Sequence, residues 1–179
     1  MSKIFLKMLL ILLIGLNIIA FAQEDERGFL VKIGQKAPDF TAKLIDGTEF
    51  KLSDNIGKVI VLQFTASWCS VCIKEMPHLE KEIWQALKNK DFMLVGIDRD
   101  EPLETVQKFS KFTKVSYPLA LDPGANIFGL YTNKNSGVTR NIVIDKSGNI
   151  VFMTRLFDKN EFDKMKQLLF EMTADTKQK

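Results

Sequence analysis

The stretch Lys58-Val59-Ile60-Val61-Leu62-Gln63-Phe64-Thr65-Ala66-Ser67-Trp68-Cys69-Ser70-Val71-Cys72 decides how this chain folds. Lys58 to Ala66, bounded by Gly57, is a continuous apolar run rich in branched side chains, the pattern of a strand buried at the centre of a sheet. Directly after it come two cysteines separated by two residues. From Ser70 to about Leu87, apolar residues recur at Ile73, Met76, Leu79, Ile83, Trp84 and Leu87, a stripe that predicts a helix packed on the sheet. Both sulfurs therefore stand where a central strand feeds a helix, and Pro77 is expected to kink that helix.

Upstream, Pro38 to Leu44 and Thr48 to Leu52 flank Asp46-Gly47, a strong hairpin signal. Downstream, Phe92 to Ile97 reads as a second buried strand, and Leu103, Val106, Phe109 and Phe112 mark an amphipathic helix. A short strand is expected near Leu119 and a helical turn over Ala125 to Leu130. Val138 to Ile144 and Ile150 to Thr154 then surround the turn Asp145-Lys146-Ser147-Gly148 as a second hairpin, and Phe162, Met165, Leu168, Leu169 and Met172 give a closing helix. Alternating strands and helices, then a hairpin and a last helix, imply an α/β fold with a mixed central sheet flanked by helices and an N-terminal β-hairpin extension.

The chain has 179 residues, 46% apolar and 26% charged, an ordinary balance for one globular domain. Its formal charge of +3 drops to +1 without residues 1–22, which hold Lys3 and Lys7 and no acid. Such near-neutrality gives no reason to expect nucleic acid as a partner. Residues 1–22 read as a signal peptide: a short basic start, an apolar run from Met8 to Phe21, and Ala20-Phe21-Ala22 as a cleavage pattern. The competing reading is a membrane anchor formed by residues 8–21. Residues 23–32 follow as a polar linker, 33–174 as the domain and 175–179 as a tail. Export puts the domain in an oxidising compartment, the periplasm, either free or anchored to the inner membrane.

Disulfides persist there, yet Cys69 and Cys72 make a poor structural staple, because closing so short a loop removes little entropy from the unfolded chain. A zinc site lacks half its ligands: there is no second cysteine pair, and the single histidine, His78, lies beyond Pro77. No metal is expected. Redox chemistry fits the position better. The free amides and dipole of a helix N-terminus stabilise a thiolate, and in Cys-x-x-Cys motifs the thiol pKa can fall to roughly 3.5–7.5. Cys69 would attack, and Cys72, three residues later on the same side, would resolve the mixed disulfide.

Gly34-Gln35-Lys36-Ala37-Pro38-Asp39-Phe40, Phe64 through Pro77, Gly96-Ile97-Asp98 and Asn141 through Gly148 together resemble the TlpA/ResA branch of the thioredoxin superfamily, which is related to the AhpC/TSA redoxins. The resemblance covers nearly all of the chain after residue 22. It implies a thioredoxin-like fold and an exported thiol-disulfide oxidoreductase. Such proteins are often reductants of periplasmic thiols, for instance in cytochrome c maturation. The partners implied are protein disulfide or dithiol clients and a membrane thiol-disulfide electron donor. No cofactor is implied besides the redox-active disulfide. Glu75 falls on the family's acidic position, where a carboxylate could carry protons to and from Cys72. Trp68 corresponds to the tryptophan preceding the motif and offers a docking surface, while Ser70 and Val71 are the dipeptide that tunes potential.

Three positions depart from the family pattern. Gln63 stands where thioredoxin has a buried acid, and Val71 replaces the usual proline. Thr139, in Gly137-Val138-Thr139, takes the place of a proline usually in the cis form. Without proline a cis bond costs roughly 3–4 kcal/mol, so the Val138–Thr139 bond is expected to be trans. The Thr139 hydroxyl could then hydrogen-bond the thiolate, and Arg140 is expected either as a solvated loop cation or as a charge lowering the pKa of Cys69.

Two other readings compete. A peroxiredoxin-like thiol peroxidase shares the opening hairpin and Pro38-Asp39-Phe40 but needs a Pro-x-x-x-Thr-x-x-Cys pocket. Thr65 stands four residues before Cys69, and position 61 is Val61 rather than proline. A copper or haem handling module would use two thiolates on a soft metal, but its usual distant histidine is missing.

Overall fold

The computed structural model describes residues 27–174. Its core is a five-stranded mixed sheet in the order β5-β4-β3-β6-β7. The central strand β3 (Val59–Thr65) is buried at every position, as its unbroken apolar run requires. It pairs in parallel with β4 (Phe92–Arg99) and antiparallel with β6 (Arg140–Ile144). The edges are β5 (Leu119–Asp122), parallel to β4, and β7 (Ile150–Arg155), antiparallel to β6. This is the thioredoxin-like architecture expected from the sequence. The expected leading hairpin is a separate two-stranded sheet, β1 (Thr41–Lys43) with β2 (Glu49–Lys51), turned by Gly47 at φ +92°.

The two faces of the sheet are covered differently. On one, Val59 and Val61 meet α1 (Ser70–His78), α2 (Leu103–Thr113) and α4 (Lys159–Met172) through Met76, Val106, Phe162 and Met165. On the other, Ile60, Leu62 and Phe64 pack on the short α3 (Phe128–Tyr131), the first hairpin and the N-terminal segment. Phe64 sits 5.4 Å from Phe128 and 5.5 Å from Tyr131, centroid to centroid. The kink expected at Pro77 takes the form of π-helical turns over Leu79–Trp84, after which one α turn, Gln85–Leu87, ends the helix. Proline removes one amide donor from the ladder, and wider i→i+5 pairing absorbs the mismatch.

Three expectations need correction. The apolar stripe of α2 is narrower than its sequence suggested: Val106 and Phe109 are buried, but Phe112 is 69% exposed and Leu103 41% exposed. The linker drawn over 23–32 contains Phe29 and Val31, which are buried in the core, and Phe29 bridges to Thr132, so the domain starts earlier than residue 33. The strand expected from Val138 begins only at Arg140, because Thr139 adopts φ +66° and cannot continue a pleat. Residues 1–22, expected as signal or anchor, and the tail 175–179 lie outside the described residues. Among the described residues no helix is long and apolar enough to cross a membrane.

Candidate active site

Cys69 is the N-cap of α1, in extended conformation, and its Sγ accepts the amide of Cys72 at 3.1 Å. The turn is closed behind it by the Cys69 amide donating to the Ala66 carbonyl, 3.1 Å, and ahead of it by the Ile73 amide donating to the Cys69 carbonyl, 3.1 Å. Cys69 and Cys72 are joined as a disulfide. The two sulfurs are not equivalent. Cys69 keeps 9% exposure, and Cys72 has none. Only Cys69 lies at an edge that another molecule can reach, while its bonded amide and the helix N-terminus stabilise negative charge on its sulfur.

The Thr139 hydroxyl lies 2.9 Å from Cys69 Sγ and 3.0 Å from Cys72 Sγ. No peptide bond among the described residues is cis, so the Val138–Thr139 bond is trans as expected. A β-branched residue at positive φ is strained, and the strain is held by two backbone bonds: the Thr139 amide donates to the Phe64 carbonyl, 3.0 Å, and its carbonyl accepts the Leu156 amide, 2.8 Å. Leu156, itself at φ +64°, is 47% exposed, and Trp68 is 62% exposed. Trp68 is thus a surface residue beside Cys69 and not part of the core. Ser70 is exposed, Val71 partly buried against the core, and Val138 buried.

Arg140 departs from the expected solvated loop cation. It has no exposure, its guanidinium lies 4.6 Å from the Phe29 ring centroid, and its Nε donates to the Gly137 carbonyl at 3.0 Å. Arg140 is opposite Phe64 in the β3–β6 register, so it belongs to the aromatic face of the sheet. It is not a solvated loop cation: it packs the N-terminal segment against β6.

One turn below Cys72, on the same side of α1, Glu75 is 1% exposed. Asn141 Nδ2 donates to its Oε1 at 2.7 Å, and Gln63 Nε2 donates to its Oε2 at 3.3 Å. Desolvation raises the Glu75 pKa from 4.5 to about 7, against the opposing effect of the Asn141 and Gln63 hydrogen bonds. The Tyr117 hydroxyl donates to Gln63 Oε1 at 2.8 Å, and Asn141 Nδ2 also donates to Thr154 Oγ1 at 2.9 Å. Gln63, Asn141 and Thr154 are cross-strand neighbours on β3, β6 and β7, so the sheet lays a row of polar groups directly beneath the carboxyl. Gln63 is the hydrogen-bonded core residue its sequence suggested. Sequence reasoning missed Asn141, Tyr117 and Thr154, although Gln63 and Asn141 each interrupt an apolar strand, which is the visible trace of a buried polar row.

His78 is remote from this chemistry, with Nδ1 2.7 Å from Glu82 and its ring 5.0 Å from that of Phe157. Together, the reachable sulfur, the buried sulfur and a carboxyl able to hold or release a proton near neutrality form a site suited to thiol-disulfide exchange.

The AhpC/TSA family pattern matches residues 33–153. The chain belongs to the AhpC/TSA family. Within it, this member is 33% identical over 121 residues to the thiol-disulfide oxidoreductase ResA of Bacillus cereus, a match spanning 68% of either protein. A solution structure of a candidate protein disulfide isomerase from Bacteroides thetaiotaomicron is 55% identical, with a TM-score of 0.81, covering 83% of this chain and 94% of that one. A crystal structure of a candidate thiol:disulfide interchange protein DsbE from Chlorobium tepidum is 26% identical, with a TM-score of 0.69, covering 80% of this chain and 99% of the other. This AhpC/TSA member is accordingly a TlpA/ResA-like thiol-disulfide oxidoreductase of the thioredoxin superfamily.

Proposed function

We propose that this oxidoreductase is exported and reduces disulfides of protein clients in the periplasm, free or tethered to the inner membrane by residues 8–21. Cys69 is the nucleophile, Cys72 resolves the mixed disulfide, and Glu75 takes and returns the Cys72 proton. The disulfide itself carries the electrons, with no other cofactor. A membrane thiol-disulfide donor restores the dithiol, and cytochrome c maturation, which consumes reduced cysteines, is a pathway with clients of this kind. Exposed Trp68, next to Cys69, and exposed Leu156, bonded to the Thr139 carbonyl, form the surface against which a client segment rests, over the buried Val138–Thr139 loop.

One observation carries the reading: Cys69 is at the rim, Cys72 is fully buried, and a carboxyl with a pKa raised to about 7 sits one helical turn below. A buried carboxyl near the resolving sulfur disfavours a second negative charge there, which keeps Cys72 a thiol while the helix N-terminus favours the thiolate at Cys69. The reducing direction is taken from the TlpA/ResA resemblance, and the reduction potential decides it.

Equilibration with glutathione or dithiothreitol buffers gives the test. A reduction potential toward the thioredoxin end, about −270 mV, supports a reductant, while a value near about −120 mV overturns the direction of electron flow. In the native host, Cys72→Ala should accumulate mixed disulfides on Cys69 with envelope proteins. Recovery of exclusively cytoplasmic clients would remove the export reading.

A further inference from the structure

Outside the Cys69–Cys72 site, the most unusual buried group is Asp98, at the end of β4. It has no exposure, and no N–H or O–H donor reaches either of its carboxylate oxygens. Its hydrogen-bonding neighbour is another acid, Glu101, and Asp122 adds a second negative charge. Two carboxyl groups can bond each other only if one keeps its proton. The Asp122 oxygens are already taken by the amides of Ile127 and Phe128, each at 2.8 Å. The Glu101 oxygens also reach Ser67: Oε2 accepts the Ser67 amide and Oε1 the Ser67 hydroxyl, both at 2.6 Å.

Glu101 is held on a rigid support. Asp100 before it is in the left-handed region at φ +58°, its amide bonded to the Asp122 carbonyl at 3.0 Å and its Oδ1 accepting the Gly124 amide at 2.7 Å. Pro102 after it fixes the next φ at −72° and caps α2. Ser67, at the other end of the contact, lies inside the Ala66–Cys69 turn that aims the reachable sulfur.

We propose that Glu101 is a positioning residue for Cys69, clamping the turn through Ser67, and that Asp98 beneath it, kept as the carboxylic acid, donates the hydrogen bond that holds Glu101 in place. Charge-assisted bonds of this kind are short and about twice as strong as neutral ones, and they fix geometry as well as energy. The groups facing Asp98 are Glu101 from the β4–α2 loop and Asp122 from β5, both acidic. Desolvation and these charges raise the Asp98 pKa to about 8, which keeps the shared proton in place at neutral pH.

The inference rests on Cys69 as the attacking sulfur, but half of its test does not. In the oxidised protein, where the cysteines do not titrate, the Ser67 amide proton should resonate far downfield and shift with a midpoint near pH 8, the region of the Asp98 pKa. Asp98→Asn keeps a donor to Glu101 and should abolish that titration while retaining exchange within about twofold of wild type. Glu101→Ala should lose the downfield shift and reduce kcat/KM for disulfide reduction about tenfold, as expected when a reacting group is misplaced. Glu101→Gln keeps one acceptor for Ser67 and should fall between, at about threefold. Glu101→Ala with wild-type exchange, or a Ser67 titration that persists in Asp98→Asn, overturns the clamp. A correct Ser67 titration in a protein whose Cys69 fails to react would instead remove the site assignment.

Discussion

Glu75 and Asp98 are buried under the same face of one sheet, yet their surroundings answer burial in opposite ways. Gln63 and Gly96 are register neighbours on β3 and β4, and Asp98 is two residues beyond Gly96, so Asp98 rises from the sheet surface onto which Glu75 descends from α1. Glu75 meets amide donors on both oxygens, from Asn141 and Gln63. Asp98 meets only acids. Donors partly offset desolvation and leave Glu75 poised at about 7, where either protonation state is within reach. Acidic neighbours add to desolvation and leave Asp98 at about 8, where the proton stays put. Burial alone thus makes no proton carrier: the carboxyl able to cycle is the one whose ionised form has been given partners.

The largest effect that can break this contrast is on turnover. Glu75→Gln should slow the reduction of a protein disulfide about a hundredfold, the size of contribution expected from one general acid-base group. It should also erase the limb of the pH–rate profile with an apparent pKa near 7, the Glu75 value. Asp98→Asn, equally buried, should leave that limb intact. Stopped-flow measurement of mixed-disulfide resolution across pH 5–9 checks both, and equal losses in the two variants would show that burial, not partner chemistry, separates the groups.

Stability comes next. Both carboxyls have folded-state pKa values above their unfolded ones, 4.5 to about 7 for Glu75 and 3.8 to about 8 for Asp98. Between those limits the folded protein binds more protons than the unfolded chain, so stability falls as pH rises and levels off above pH 8. The Glu75 share is about 3 kcal/mol. Asp39 and Glu80 are raised most by desolvation but lowered on balance, because their hydrogen bonds, led by those to Ser53 and Ser116, together outweigh it, and they lose their stabilisation at the acidic end. Maximal stability is therefore expected near pH 5. Urea unfolding of the oxidised protein from pH 4 to 9 should show this, with the slope above pH 5 reduced in Glu75→Gln and nearly flat in Glu75→Gln/Asp98→Asn.

The contrast also marks how far the sequence could be read. The order of elements was legible because β3 is an unbroken apolar run and α1 carries a periodic stripe. Cys69 and Cys72 were legible because their spacing and their place at a strand–helix junction have a chemical meaning on their own. Glu75 was visible through resemblance, but its donors were not. Asn141 lies 66 residues from Glu75 and Tyr117 lies 54 from Gln63, distances that only the sheet register and the packing of the segment before β5 bring to contact. Arg140 was misread for the same reason: nothing in the sequence says that Phe29, far upstream, folds back over it. The strain at Thr139 was half legible, since loss of proline predicted a trans bond but not the positive φ that places its hydroxyl between the sulfurs.

The smallest effect concerns Tyr117 and is the sharpest test of the donor argument. The Gln63 amide can face Glu75 with its nitrogen, which favours the carboxylate, or with its oxygen, which favours the carboxylic acid. What selects the first orientation is the Tyr117 hydroxyl, which donates to Gln63 Oε1 at 2.8 Å and so turns Nε2 toward Glu75. Gly96 lies beside this pair, and a Cβ there would stand only 2.5 Å from Leu119 Cδ2, so the glycine lets Leu119 pack against β4. Tyr117→Phe removes the selecting bond with almost no change in volume. The Glu75 pKa should rise by about half a unit, equivalent to about 0.7 kcal/mol and within the range of one neutral hydrogen bond. Carbon-detected titration of the Glu75 carboxyl would resolve that shift. Gln63→Leu, which deletes the donor altogether, should raise it further, and an unchanged value in Tyr117→Phe would mean that the Gln63 amide is oriented by Glu75 alone.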